Sequence, residues 1–253
     1  MSTTARRPSL VSGVGRGFHT KHPGVSYRDK PYVLEVPVQT TAEQTQALAH
    51  VLWLGGTPCS GKSSVARWLV ERYDVQLYHY DKHERRHMAN CLPAQHPELS
   101  AYAAMDMDMR WVQRPVAEMV RATEVAWRER FSLVIDDLLA LPATTPILAE
   151  GPGLLPCAVA PVLQSSRQAV WLVPTEAFKR ATQPTRGGAP ANQTSNPEQA
   201  YRNLIDLDLQ LAMNAKRRAG ELGLTVFEVD GAKSVDAIAA QVADHFGLAL
   251  ARA

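Results

Sequence analysis

Short apolar runs alternate with amphipathic segments along most of the chain. The runs have the length and the β-branched or aromatic content of buried strands, and they occupy residues 51–54, 75–80, 146–150, 168–173 and 225–229. Between them, apolar residues recur at helical spacing, as in Val65, Trp68 and Leu69. Because strands that alternate with helices pair in parallel and are covered on both faces, the pattern predicts an α/β domain with a mostly parallel sheet.

Helices are predicted for most of the remaining chain. Residues 82–141 are largely helical by pattern, with Pro115 kinking or ending a helix, and residues 198–222 and 235–246 form two further helices. Thr175 is placed to cap a short helix that runs through Arg180.

Residues 131–139 fit either a strand or a helix. From Phe131 to Leu138 the apolar residues follow the i, i+3, i+4, i+7 pattern, which favours a helix with Asp136 and Asp137 toward solvent. If the segment is instead a strand, the two acids stand at its carboxyl end and become candidate metal ligands.

Two stretches lack a regular pattern. Residues 1–47 are rich in proline and carry a basic bias, which predicts a largely irregular extension before a domain at residues 48–253. Within the extension, residues 32–38 alternate enough for a short edge strand. Residues 183–197 consist mainly of Gly, Pro, Thr, Asn and Ser, a composition that predicts a mobile loop.

A glycine-rich loop follows the first predicted strand. It fits G-x-x-x-x-G-K-[ST] from Gly56 to Ser63, between an apolar strand and an amphipathic helix, which is the context that the motif requires. The glycines let backbone N–H groups turn inward around a phosphate chain, Lys62 would lie along the β- and γ-phosphates, and Ser63 would offer its hydroxyl to Mg²⁺. We therefore predict nucleotide binding by the loop residues Gly56, Thr57, Cys59, Ser60, Gly61, Lys62, Ser63 and Ser64.

The overall composition limits the classes of partner. The formal net charge is only +2 among 253 residues, and basic and acidic residues are well mixed, so neither nucleic acid nor an anionic membrane is expected as a partner. The cysteines Cys59, Cys91 and Cys157 form no C-x-x-C pair, and no apolar run reaches the length of a membrane span. We expect a cytoplasmic protein.

Two acids stand where predicted strands end near the loop. Asp81 follows the second strand and Glu150 ends the third, and ligands of open α/β sheets bind at that edge. Asp81 could instead cap the following helix, and Glu150 could merely begin a turn. The histidines at 79, 83 and 87 are four apart, but His79 falls in a strand and a third ligand at fitting spacing is lacking, so we predict no metal site for them.

With the loop, Asp81, Glu150 and the loop after residue 173 in these positions, the chain resembles P-loop small-molecule and nucleoside monophosphate kinases over about residues 51–248. Within that group it is similar to the branch that holds chloramphenicol phosphotransferase, shikimate kinase and zeta-toxin-like sugar-nucleotide kinases. The resemblance implies a three-layer P-loop NTPase fold with a five-stranded parallel sheet, a helical acceptor-binding insert at residues 82–141 and a lid at residues 183–197. It also implies that the protein uses ATP together with Mg²⁺.

The resemblance assigns roles to individual residues. An acid after the second strand often takes the proton from the acceptor hydroxyl, which matches Asp81, and an acid after the next strand often holds Mg²⁺ through water or orients the acceptor, which matches Glu150. Lid arginines stabilise the transferring phosphoryl group, for which Arg180 and Arg186 are the candidates. The loop after the last strand, with Gly231, would flank the adenine.

These features predict an ATP-dependent phosphotransferase that acts on a hydroxyl of a small metabolite or antibiotic-like molecule. A nucleotide acceptor is not favoured, because the chain lacks the D-G-x-P-R-type run and the arginine-dense lid of nucleoside monophosphate kinases. One alternative is a non-catalytic nucleotide sensor whose basic extension contacts a partner. A motor-type ATPase is disfavoured by the short length and by the lack of a clear apolar strand that ends in paired acids.

Overall fold

A five-stranded sheet forms the centre of the computed structural model, which describes residues 41–183 and 191–249. Every neighbouring pair of strands is parallel, and the strand order is β2-β3-β1-β4-β5. The strands are β1 (Val51–Gly56), β2 (Gln76–His79), β3 (Ile147–Glu150), β4 (Ala169–Pro174) and β5 (Thr225–Val229). These positions confirm the apolar runs predicted as strands, with ends shifted by two residues or fewer.

The helices cover the two faces of the sheet and fill the predicted helical region at residues 82–141. They are α1 (Ala42–Ala47), α2 (Lys62–Val70), α3 (Glu84–Asn90), α4 (Pro97–Ala104), α5 (Met107–Trp111), α6 (Val116–Leu139), α7 (Pro156–Val159), α8 (Glu176–Thr182), α9 (Pro197–Glu221) and α10 (Val235–Phe246). Among residues 41–183 and 191–249, no helix combines the length and the apolar content that crossing a membrane requires.

Consecutive residues of the central strands are buried on opposite faces of the sheet. Trp53 and Trp171 belong to a core that includes apolar side chains of α6, α7 and α9, whereas Leu54 and Leu172 belong to a second core formed with α2 and α10. Burial on both faces explains why β1 and β4 read as continuous apolar runs. The architecture is a three-layer α/β fold with a five-stranded parallel sheet, as the pattern and the resemblance predict.

Residues 131–139 belong to α6, so the helical alternative is confirmed. Pro115 precedes the first residue of this helix and ends the helical region before it. Asp136 is exposed, but the prediction that Asp137 faces solvent is wrong, because its Oδ2 accepts a hydrogen bond of 2.7 Å from the Tyr78 hydroxyl. Strand β2 passes beside the end of α6, and periodicity within the helix carries no information about that neighbour.

The irregular extension predicted for residues 1–47 includes a helix, α1, near its end. The start of α1 is held by a reciprocal cap, in which the Gln44 N–H donates to Thr41 Oγ1 and the Thr41 N–H donates to Gln44 Oε1, both at 3.1 Å. Leu48, which follows α1, is fully buried in the core. The edge strand predicted at residues 32–38 lies outside the described residues.

The loop predicted at residues 183–197 is described only at its two ends, since residues 184–190 lie outside the described part of the chain. Ala191–Gln193 form one turn of 3₁₀-helix. Asn196 then caps α9, because its side chain accepts a hydrogen bond of 3.1 Å from the Gln199 N–H. The long helix predicted after the loop is therefore confirmed with its start one residue earlier.

Two adjacent leucines near the end of α6 test its orientation. Leu138 is fully buried and Leu139 is 38% exposed. We expect Leu138→Ala to lower the free energy of unfolding by about 2–5 kcal/mol, because it leaves a cavity in the core. The matched variant Leu139→Ala should cost about 0.5 kcal/mol or less. Urea unfolding measures both, and equal losses would contradict the placement of α6 against the sheet.

Candidate active site

The glycine-rich loop joins β1 to α2 in a backbone conformation that depends on its glycines. Gly56 has a φ of +126°, and a Cβ atom there would lie 2.0 Å from the Leu172 carbonyl oxygen of β4. Gly61 has a φ of +83° at the N-cap of α2, and Cys59 adopts a φ of 67° between them. Only glycine fits the first position without displacing the neighbouring strand, so the loop is held close to the sheet.

Lys62 is folded back into its own loop. Its ammonium donates to the Thr57 carbonyl oxygen at 2.7 Å and to Ser60 Oγ at 3.4 Å, and the side chain is almost fully buried. Burial lowers the pKa of Lys62 to about 8, although the charges of Glu150 and Asp81 oppose the shift. Within the described part of the chain, the buried Thr57 hydroxyl has no hydrogen-bond partner. The loop therefore contains polar groups that an added anion could satisfy.

The carboxyl ends of β1, β2 and β3 meet beside this loop. In the sheet, Glu150 pairs with Leu54 on one side and with His79 on the other. The Ser63 hydroxyl donates to Glu150 Oε1 at 3.3 Å, and His79 Nδ1 lies 2.6 Å from the same oxygen. The hydroxyl and the carboxylate are hard oxygen ligands of the kind that Mg²⁺ takes, and His79 is placed to orient the carboxylate.

Two cavities open at this edge of the sheet. The loop cavity has a volume of about 310 Å³, and its walls are Pro58, Cys59, Gly61, Lys62, Ser63, Ser64, Asp81, Glu150, Pro152, Gln183, Leu204 and Asp208. The insert cavity has a volume of about 390 Å³ and is lined mainly by α3 to α6 and α9. Pro58, Asp81, Pro152 and Asp208 line both cavities, so the two spaces adjoin at these residues.

Asp81 stands at the junction of the two cavities. It begins a short 3₁₀ turn directly after Tyr80, and it is an exposed residue in the walls of both cavities. The surrounding protein removes part of its hydration and so raises the pKa of Asp81, whereas the positive charge of Lys62 opposes the rise. The arrangement yields a carboxylate that accepts a proton more readily than an ordinary aspartate does.

A buried ion pair beside the loop was not among the sequence predictions. Lys179 of α8 and Asp208 of α9 form a salt bridge, and the Lys179 ammonium also lies 3.3 Å from the Pro58 carbonyl oxygen. Burial raises the pKa of Asp208, and the charge of Lys179 opposes that shift. The pair connects two helices to the glycine-rich loop. Its members are 29 residues apart, so no local pattern could reveal it.

A second polar network supports the chain segment that carries Asp81. Arg130 of α6 donates from Nη2 to the Tyr80 carbonyl oxygen at 2.6 Å, and its guanidinium carbon lies 3.8 Å from the centre of the Tyr80 ring. Arg130 Nε donates to His87 Nδ1 at 3.0 Å, and His87 Nε2 lies 2.9 Å from Asp137 Oδ2. With Nδ1 accepting, the proton of neutral His87 is on Nε2 and points at Asp137.

The remaining predicted residues occupy different places. The thiol of Cys59 donates to Gln183 Oε1 at 3.1 Å, and Ser64 lines the loop cavity. Arg180 lies on the exposed side of α8, where its guanidinium contacts Glu176 at 2.8 Å, and it lines neither cavity. Gly231 follows β5 with a φ of +87° and also lies outside both cavity walls. Arg186 lies outside the described residues.

Histidine protonation offers a test of the network. Burial, together with the charges of Arg130 and Arg86, lowers the pKa of His87, and the bond to Asp137 opposes the shift. The folded protein therefore resists a proton that the unfolded chain binds near pH 6.5, so the free energy of unfolding should decrease as the pH falls below about 6.5. We expect His87→Gln to reduce the slope of the free energy of unfolding against pH by an amount that corresponds to up to about one proton. Urea unfolding at a series of pH values measures this slope.

Comparing the native protein with His87→Gln isolates the contribution of His87 to the pH dependence of stability. Burial also lowers the pKa of the neighbouring His83, but this residue is present in both proteins and contributes equally to both slopes. An identical pH slope in the native protein and the variant would contradict a neutral His87 in the folded state.

Comparison with known proteins identifies a distant structural likeness. No family model matches the chain, and no curated protein matches it. The chain is similar to the crystal structure of TT1252 from Thermus thermophilus, with 19% sequence identity, coverage of 76% of this chain and 97% of that chain, and a TM-score of 0.44. At these values the likeness assigns neither a family nor an activity.

Proposed function

We propose that the protein is an ATP-dependent phosphotransferase that moves the γ-phosphate of ATP to a hydroxyl of a small molecule. The observation that carries the proposal is the junction of the two cavities at Asp81. A transfer enzyme needs a phosphate donor and an acceptor on either side of one reacting centre, with little covalent work for the protein. A protein that only senses a nucleotide needs the first space but not the second.

The loop cavity suits the triphosphate of ATP. The glycine-rich loop would bind phosphate oxygens through its backbone N–H groups and through the N-terminus of α2. Lys62 would exchange its contacts with Thr57 and Ser60 for phosphate oxygens. Ser63 and Glu150 would hold Mg²⁺, directly or through water, and the ion would neutralise charge on the transferred group.

Asp81 would act as the proton acceptor. The acceptor oxygen forms a bond to the γ-phosphorus, the bond from that phosphorus to the oxygen bridging to the β-phosphate breaks, and its electron pair leaves with ADP. The hydroxyl proton passes to Asp81, which is placed between the cavities and whose pKa is raised. A carboxylate at this position contributes late in the reaction, when the hydroxyl proton becomes acidic.

The two arginines predicted to stabilise the transferred phosphoryl group are Arg180 and Arg186. Arg180 would have to leave Glu176 and Asp206, its present partners, in order to reach a phosphate. Arg186 would belong to the lid.

We also propose that the protein acts in the cytoplasm, because the low net charge and the cysteine pattern fit a small-molecule enzyme there.

Replacing Asp81 with Asn tests the proton acceptor. We expect Asp81→Asn to lower kcat by about 100- to 10,000-fold while ATP binding is retained, because the amide keeps the size of the side chain but cannot take the proton. A screen of hydroxylated metabolites and antibiotics for an ATP-dependent mass gain of one phosphate supplies the assay, and Lys62→Ala serves as the blank. Unchanged turnover in Asp81→Asn would remove Asp81 from the mechanism.

A matched acid controls for nonspecific effects of this change. Asp136→Asn alters an exposed carboxylate on α6 that lines neither cavity, and it should leave turnover unchanged. ATP binding without phosphate transfer to any compound would favour the nucleotide sensor over the enzyme.

The pKa of Lys62 predicts a pH dependence of ATP binding. In the free protein this pKa is lowered to about 8 by burial, whereas a bound polyphosphate would stabilise the ammonium form. The affinity for ATP should therefore be constant below about pH 8 and weaken by up to about tenfold per pH unit above it, since binding then requires uptake of a proton. Calorimetry in buffers of different ionisation enthalpy measures that uptake.

Lys62→Arg is the matched control for proton uptake. Its guanidinium stays charged throughout this range, so the variant should bind ATP without taking up a proton at this position. Equal proton uptake by the native protein and Lys62→Arg above pH 8 would contradict the assignment to Lys62.

A further inference from the structure

The insert cavity has apolar and aromatic walls. Tyr102, Trp111 and Trp127 supply ring faces, and Leu99, Leu207 and Leu211 supply aliphatic surface. Tyr80 also lines the cavity, and its fully buried hydroxyl has no hydrogen-bond partner among the described residues. The apolar and aromatic walls suit a ring-bearing compound.

The helical register turns acids, rather than bases, toward this cavity. The segment from Asp81 to Met88 is rich in Lys, Arg and His, yet Asp81, Glu84 and Met88 are its cavity-lining members. These three are spaced three and four residues apart and share one side of the turn and of α3. The neighbouring Arg86 points away and binds Asp137 and His83 instead.

Asp81 and Glu84 are the unpaired acids of the cavity among the described residues, and the proposed function assigns Asp81 to the acceptor hydroxyl. The Asp208 carboxylate is paired with Lys179, whereas the Glu84 carboxylate has no hydrogen bond or ion pair within the described residues. Burial raises the pKa of Glu84, and the charges of Arg130 and Arg110 oppose the rise. A partly buried carboxylate without a partner is costly in free energy, and a bound cation would offset that cost.

Arg130 is held in place by neutral groups of the protein. Among the described residues that line this cavity it is the one with a cationic side chain. Its Nη2 donates to the Tyr80 carbonyl oxygen, its Nε donates to His87, and one face lies over the Tyr80 ring. A carboxylate or phosphate on the acceptor would be repelled by Asp81 and Glu84, and two of the five N–H groups of Arg130 are already bound within the protein.

We propose that the acceptor is a hydroxylated, ring-bearing compound that carries an ammonium group, and that Glu84 binds this ammonium. The inference rests on the proposed function in one respect, because that function places the acceptor hydroxyl at Asp81. Glu84 pairs with the cation, and the ring of Trp111 adds attraction between the cation and its π face, whereas the Tyr102 ring already has the Arg110 guanidinium over it. The apolar body of the acceptor fills the space between the aromatic and aliphatic walls. Glu84 is thus a residue that determines specificity.

Three test ligands that differ in charge examine this proposal. Propranolol, the cation, has an aromatic ring system, a secondary hydroxyl and an ammonium group. Its ether isostere has oxygen in place of the amine nitrogen and is neutral. Its hydroxy-acid analogue has a carboxylate in place of the aminomethyl group and is an anion. We expect the full-length protein, without nucleotide, to bind the cation at least about tenfold more tightly than the ether and to bind the acid most weakly. Calorimetry near pH 7 measures all three.

Variants then assign the preference to Glu84. Glu84→Gln should reduce the affinity for the cation to that for the ether and leave the ether unaffected. Glu118→Gln, a change at an exposed acid outside the cavity wall, should preserve the preference. The inference is overturned if the ether or the acid binds as tightly as the cation, if Glu84→Gln keeps the preference, or if none of the three ligands binds.

The binding assay separates this inference from the proposed function. It contains no ATP, so the charge preference is measured whether or not phosphate transfer occurs. Transfer of phosphate to neutral or anionic acceptors, without charge preference in binding, would support the proposed function and overturn the assignment of Glu84. A charge preference without transfer to any acceptor would support the assignment of Glu84 as a cation-binding residue and count against the phosphotransferase.

Discussion

The parallel pairing of β3 with both of its neighbours is the constraint on which the site depends. Glu150 stands level with Leu54 of β1 and His79 of β2, so the loop after β1 and the turn after β2 begin at the same edge. These strands pack into cores on both faces of the sheet, and a shift by one residue would exchange the faces that their side chains occupy. The apolar burial of the strands thus brings Lys62, Glu150 and Asp81 together.

The parts of the structure that sequence could predict are those with a local cause. The apolar runs, the glycine-rich loop and the acids that follow strands each depend on neighbouring residues, and the strands, the loop and the helix through residues 131–139 occur where they are predicted. The difference between Lys179 and Arg180 shows the limit. Both are basic residues of α8, but consecutive helical residues point about 100° apart, so α9 buries Lys179 and leaves Arg180 exposed.

Contacts between distant segments account for the features that sequence could not predict. Asp137 is a helical acid that periodicity places toward solvent, and only the neighbouring β2 and α3 explain its bonds to Tyr78, Arg86 and His87. The basic appearance of residues 82–88 is misleading for the same reason. Its cations bind partners or face away from the cavity, and the choice of cavity-facing residues depends on how α3 packs against α6.

Arg130 connects these long-range contacts to the chemistry of the junction. It is buried and forms its hydrogen bonds with neutral groups, the Tyr80 carbonyl oxygen and His87, so its charge remains available to nearby acids. Burial raises the pKa of both Asp81 and Glu84, and the charge of Arg130 opposes each rise. A proton acceptor and a cation-binding carboxylate both need to be ionised before a ligand arrives. One buried cation that contacts neither acid therefore favours the ionised form of both without occupying the oxygens they would present to the acceptor.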